Sequence, residues 1–232
     1  HLPQRMVVLG GGVVAAEFAH VFSALGVEVT QANRSARLLR GVDEEVVNRF
    51  AQAASQQWNL LLEHALIEIR QNDDDSVTVV LENDGELVDV VADKVLVATG
   101  RRPNSDSLHA EKFFDVDARG LIGVDEYQRV LYNGAPVEGV FALGDISSPY
   151  QLKHVANLSH PNELRASDHR FVPAAVFSHP QLAYVGLTEE QARAAGEREG
   201  FEVTVKSQEF GDTAYGWAME DKVGLCKLIA RK

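Results

Sequence analysis

The chain has 232 residues, 45% hydrophobic and 24% charged, with a formal net charge of −12; this suits one large or two modest soluble domains. The acidic balance and the lack of a sizeable basic run argue against nucleic acid and anionic membranes as partners, and no apolar run nears the roughly 20 residues of a membrane span. One cysteine, Cys226, excludes an internal disulfide or a CxxC pair, and the opening His1-Leu2-Pro3-Gln4-Arg5 has no apolar leader stretch, so a reduced, cytoplasmic setting is expected.

In chain order, Met6-Val7-Val8-Leu9 reads as a buried parallel strand, Gly10-Gly11-Gly12 as a tight turn and Val13-Val14-Ala15-Ala16-Glu17 as the first turn of a helix. The spacing G-x-G-x-x-G/A falls on Gly10, Gly12 and Ala15. The first glycine permits the turn, the second lets a diphosphate reach the backbone, and the small third residue lets helix and strand pack closely. Free amides and the positive dipole end at such a helix start favour a bound diphosphate. A glycine fingerprint alone is weak; the legible strand before it and helix after it favour dinucleotide binding over a purely structural turn. Apolar residues at Val14, Phe18, Val21, Phe22 and Leu25 recur at helical spacing, so residues 13–25 form an amphipathic helix that Gly26 ends.

The second parallel strand, Val27 to Gln31, closes a βαβ unit. NAD-specific folds place an acid near this strand's end, about 20 residues past the glycines. Here Asn33 stands there, followed by Arg34, Arg37 and Arg40. A missing acid with clustered guanidinium forks suits a 2′-phosphate, and hence NADPH; the bland reading is three solvated surface arginines.

Asp43-Glu44-Glu45 opens a second helix reaching about Trp58, with its acids at the favourable end. After residues 59–62 come three alternating β segments, 65–70, 76–81 and 86–91, joined by polar hairpin turns; the acid run at 73–75 is a solvated tip rather than a metal site. Lys94 to Ala98 is a buried strand ending at Thr99-Gly100-Arg101-Arg102-Pro103-Asn104. Residues 105–136 read as irregular structure with a polar hairpin around 117–120. Val140 to Leu143 is a further buried strand, and Asp145 behind Gly144 is placed to accept from a polyol; residues 151–156 suggest a helix start. From Phe171 the chain turns to strands at 171–177, 183–185, 203–210 and 224–230, with a capping box at Thr188 and Gln191, so the tail reads as an α+β unit. Cys226 reads as a buried small hydrophobe, and Tyr215 and Trp217 as interface residues.

The motifs GGGVVAAEF, the arginine loop, VLVATGRRPN, VFALGD and FVPAAVFSHPQLAYVGLTEEQA, in that order, resemble the FAD-dependent pyridine nucleotide-disulfide reductases, the family of glutathione reductase and lipoamide dehydrogenase. The resemblance implies an α/β fold: a Rossmann-like three-layer NAD(P)-binding domain over 1–98, the C-terminal part of an FAD-binding domain over 99–169, and the N-terminal part of an α+β dimerisation domain over 170–232. It implies that Gly10, Gly12 and Ala15 hold the NADPH diphosphate, that Arg34 and Arg40 hold the 2′-phosphate, and that Asn33 replaces the acid of NAD-using relatives. Val13 stands where many relatives carry a tyrosine lid. Gly100 and Arg101 would lie by the nicotinamide arm, Gly144 and Asp145 by the flavin ribityl chain, and Leu152, Lys153 and His154 near the isoalloxazine ring. Glu17 would pair with a flavin-domain lysine.

By the same resemblance, NADPH passes hydride to FAD, which reduces a cysteine pair acting on a small-molecule disulfide substrate in a homodimer. The family's C-x4-C pair, its first flavin fingerprint and its His-Pro general acid do not occur here. They are expected upstream and downstream, so the chain reads as an internal piece, inactive alone and without a catalytic or metal-binding residue of its own. His179-Pro180 matches a structural turn of the family. The stretch 157–166, which contains His160-Pro161, is shorter than in relatives. Two alternatives are a non-catalytic NADPH-binding module and an NADH-using relative of the lipoamide dehydrogenase kind.

Overall fold

The computed structural model describes residues 1–152, 155–156, 166 and 171–232. They fall into two compact units, one of His1–Gly100 with Pro173–Lys232 and one of Arg101–Val172. In the first unit the chain runs β1 (Arg5–Leu9), α1 (Val13–Ala24), β2 (Glu28–Asn33), α2 (Glu44–Ala54) and β3 (Asn59–Leu62). An antiparallel meander follows, β4 (Ala65–Gln71), β5 (Val77–Asn83) and β6 (Glu86–Ala92), and then β7 (Lys94–Val97). Strands β3-β2-β1-β7 form a parallel sheet in that order.

Side chains alternate across a strand, so β1 has two buried faces to fill. Met6 and Val8 pack with α1 and α2, while Val7 and Leu9 pack on Val79 and Leu81 of the meander. The result is the expected three layers: helices, parallel sheet, antiparallel sheet.

Helix α1 corrects one expectation. Its fully buried residues are Ala15, Ala16 and Ala19, whereas Val14, Phe18, Val21 and Leu25 of the apolar stripe are exposed. Small side chains bring the helix close to the sheet; of the bulky stripe only Phe22 packs, half-buried, against that core. Helix α2 ends at Ala54 rather than Trp58, because the chain tightens there: the Gln56 and Gln57 amides donate three residues back, to Ala53 and Ala54. Trp58 instead enters the core. Strand β7 is only half-buried, since it lies at the sheet's edge. The acid run 73–75 is the turn between β4 and β5, where the Asp74 carboxylate accepts from the Ser76 amide.

The second unit holds the two-stranded ribbon β8 (Arg129–Tyr132) and β9 (Ala135–Phe141). Isolated bridges join Val116 to Ile122 and Val124 to Val130. Its core gathers Ala110, Ile122, Val130 and Ala142. Strand β8 is absent from the sequence reading, and β9 ends at Phe141 with mostly exposed side chains, because a ribbon of two strands covers neither face fully.

The C-terminal segment adds β10 (Ala174–Val176), β11 (Leu182–Tyr184), α3 (Glu189–Glu199), β12 (Val203–Glu209), α4 (Ala214–Ala218) and β13 (Leu225–Arg231). Thr188 and Gln191 form the expected capping box on α3. Val176 and Leu182 enter the same core as α1 and α2. Register in β13 turns Lys227 inward and Cys226 and Leu228 outward, so Cys226 is exposed rather than buried. Tyr215 and Trp217 are each 77% exposed. Among the described residues no helix is long and apolar enough to cross a membrane, and no metal-holding cluster occurs.

Candidate functional site

The glycine turn is held on three sides. The Gly10 amide donates to Ala32 O at 2.9 Å and the Ala98 amide to Leu9 O at 2.8 Å, tying the turn to β2 and to the end of β7. Gly10 has φ +132, and a Cβ there would collide with the Ala98 carbonyl oxygen. Only glycine fits that position. From below, the buried Gln31 donates to Gly10 O at 2.9 Å and accepts from the Trp58 indole at 3.0 Å.

The turn is also bound to the arginine loop. Leu39 donates its amide to Gly11 O at 2.7 Å, and a Cβ on Gly11 would lie 2.6 Å from the Asn33 side chain. Asn33 donates to the carbonyls of Ser35 and Arg37 at 2.9 and 3.1 Å, shaping the loop from within. Buried Leu38 and Leu39 pin its middle. Arg34 and Arg40 are exposed, with Arg40 donating to the Ser35 hydroxyl, while Arg37 faces Glu44 at 3.6 Å.

Helix α1 begins without a side-chain cap and without an acid in its first turn. Helices α2, α3 and α4 differ: Asp43 caps α2, Thr188 caps α3 and Thr213 caps α4. A Cβ on Gly12, the cap position of α1, would meet no atom within 4 Å. Ala15 is fully buried, and Val13 packs half-buried at the core's margin. Uncapped amides, the dipole's positive end and open approach at Gly12 fit an anionic diphosphate.

The other predicted residues lie as follows. Glu17 accepts from the Phe177 amide at 2.9 Å, so its carboxylate ties α1 to the C-terminal segment. Gly100 adopts φ +138. In the second unit, Arg101 faces Asp145 at 3.5 Å across a cleft of about 350 Å³, which Asn104, Ile146 and Gln151 also line. Gly144 (φ +74) opens the short turn carrying Asp145. Leu152 is half-buried, and its carbonyl accepts from the Ala156 amide at 3.1 Å. Lys153 and His154 lie outside the described residues, as do His160-Pro161 and nearly all of the shortened stretch.

Sequence reasoning missed Gln31, a lone amide in a buried strand, and Lys227. The Lys227 ammonium lies 2.8 Å from Asp43, 3.1 Å from Glu45 and 2.7 Å from Glu189, with its side chain 6% exposed. Burial pulls its pKa down, but bonds to Asp43, Glu189 and Glu45 outweigh this and hold it above the ordinary lysine range. A lysine at an inward register position was the available signal.

A parallel sheet whose first strand feeds a glycine turn and an uncapped helix defines a Rossmann-like dinucleotide-binding fold. Residues 1–160 match the family described as pyridine nucleotide-disulphide oxidoreductase, and residues 172–232 match its dimerisation domain. The chain belongs to the pyridine nucleotide-disulphide oxidoreductase family. It is 46% identical to mycothione reductase of Mycobacterium tuberculosis over 100% of this chain and 50% of that protein. Dihydrolipoyl dehydrogenase of Synechocystis sp. is 31% identical over 100% of this chain and 51% of its own length. Among solved structures, the HOCl-induced flavoprotein disulfide reductase RclA from Escherichia coli superposes with a TM-score of 0.78 at 26% identity, over 100% of this chain and 52% of that one. The chain spans about half the length of the curated relatives it matches.

Proposed function

We propose that the chain is the coenzyme-handling part of an NADPH-dependent flavoprotein disulfide reductase of the mycothione reductase kind, working as a homodimer on a low-molecular-weight disulfide. The carrying observation is the uncapped α1 start, bonded through Gly11 and Leu39 to a loop whose Arg34 and Arg40 face solvent. The 46% identity to mycothione reductase supports the substrate class.

In this reading NADPH supplies a hydride and FAD relays the electron pair to a disulfide. The amides of Gly11 to Val14 bind and orient the diphosphate, and Gly12 leaves it room. Arg34 and Arg40 form charge-assisted bonds to the 2′-phosphate, where an acid in place of Asn33 would repel it. Gly100 and Arg101 border the nicotinamide arm. Asp145 accepts from the flavin ribityl hydroxyls, which would compete with its present pairing to Arg101. Leu152, Lys153 and His154 border the flavin ring, and Glu17 holds α1 against Phe177. The disulfide pair itself is not among these 232 residues, whose single cysteine is Cys226. The domains of this reading are 1–98 for NADPH, 99–169 for FAD and 170–232 for dimerisation.

Titration with NADPH and NADH tests it. NADPH should bind more tightly, and Arg34→Ala with Arg40→Ala should cost on the order of 1.5–3 kcal/mol of NADPH binding for each charged bond lost, with little change for NADH. Equal affinities for the two coenzymes would favour the dihydrolipoyl dehydrogenase-like alternative. Binding of neither would remove the coenzyme reading altogether.

A further inference from the structure

Asp43 ends the arginine loop and caps α2, accepting from the Glu45 amide at 3.1 Å. The same carboxylate accepts from the Glu189 amide at the start of α3 at 2.9 Å and from Lys227 at 2.8 Å. Two helix starts and one strand of the C-terminal segment therefore meet on one carboxylate. Glu45 and Glu189 complete a ring of three carboxylates around one ammonium, and Ser207 donates to Glu45 at 2.9 Å. This cluster shares a cleft of about 730 Å³ with Arg37 and Arg40, lined by equal numbers of acidic and basic side chains. The balance depends on Lys227: without it the acidic side chains lining the cleft outnumber the basic ones.

We propose that Lys227 is a specificity-determining positioning residue, which neutralises Asp43, Glu45 and Glu189 and holds the end of the arginine loop so that Arg40, which lines the cleft, can join Arg34 on the coenzyme's 2′-phosphate. The inference rests on the NADPH reading above. Its physical basis is range: at physiological salt a charge is felt over about 8 Å, and the acidic start of α2 reaches the arginine loop, where Glu44 lies 3.6 Å from Arg37. NADH has no 2′-phosphate, and its affinity should not register the change.

The test is titration of the full chain with NADPH and with NADH for wild type, Lys227→Gln, Lys227→Arg and Glu45→Gln, with thermal melts alongside. Lys227→Gln should weaken NADPH about tenfold and leave NADH within about twofold, whereas Lys227→Arg should restore NADPH affinity. Glu45→Gln removes one of the three carboxylates at a partly exposed position and should tighten NADPH about two- to threefold, which decides the matter if Lys227→Gln does not fold. A wild type with no preference for NADPH would overturn the coenzyme reading and this inference with it. A wild type that prefers NADPH, with Lys227→Gln shifting both coenzymes equally or neither, would overturn the inference alone. So would Glu45→Gln leaving NADPH binding unchanged or weaker.

Discussion

The starts of α1 and α2 lie thirty-one residues apart in sequence, flank the same loop, and are built in opposite ways. At α2, Asp43 caps the helix, Glu44 and Glu45 fill the first turn, and Lys227 neutralises the excess charge. At α1 a glycine stands at the cap, the first turn holds no acid, and Arg34 and Arg40 nearby are exposed. A helix end that serves only stability satisfies its own amides; a glycine cap that leaves them free gives up only about a few tenths of a kcal/mol and gains a place for an external anion. The loop is anchored in its middle by Leu39 on Gly11 and at its end by Asp43 on Glu189, so the two helix starts are mechanically joined.

The largest effect should come from Gly10→Ala. The positive φ and the collision with Ala98 O predict a loss of about 3 kcal/mol or more, read as a fall in melting temperature; a mild effect would mean the turn is less constrained than it looks. Next is Asp43→Ala, which removes the α2 cap, the Glu189 amide's acceptor and a partner of Lys227, at about 2–3 kcal/mol by denaturant titration. Trp58→Phe strands the buried Gln31 oxygen and should cost about 1 kcal/mol.

The α2 junction should also be acid-sensitive. Burial pushes the Asp43 carboxyl up, but Lys227 and the amides of Glu189 and Glu45 outweigh it and hold the pKa below its ordinary value. Lys227, then Arg193, lower that of Glu189. Both carboxylates therefore stabilise the fold fully above the ordinary range of about 4 and lose that contribution as pH falls through their depressed values. Lys227, raised, contributes fully below the ordinary lysine value of about 10.4 and loses it only at still higher pH. The stability gap between wild type and Asp43→Asn should hold at pH 7 and shrink on acidification; a gap that persists in acid would contradict the pairing.

Much of this contrast was legible in the sequence, because caps, glycine spacing and strand alternation are local signals. The glycine turn, Asn33, the arginine loop and the Thr188–Gln191 box stand where local chemistry puts them. What escaped was tertiary. The apolar stripe of α1 suggested a buried face, yet Ala15, Ala16 and Ala19 take the core because close approach to the sheet rewards small residues. Cys226, expected to be buried, is exposed and Lys227 takes the inward position through the register of β13, which hydrophobicity alone does not set. Gln31 sits in the core because one glycine carbonyl and one indole satisfy it.

The smallest stability effect carries the sharpest functional test. Gly12→Asp makes the α1 start resemble that of α2: the backbone there is extended, a Cβ meets nothing, and an added carboxylate should stabilise the helix by a few tenths of a kcal/mol. Calorimetric titration of that variant with NADPH is the most direct measurement. The account predicts a protein at least as stable as wild type in which NADPH binding is lost by about a hundredfold or more, because the new carboxylate occupies and repels the diphosphate's place. Undiminished binding of NADPH to a folded Gly12→Asp chain would contradict it.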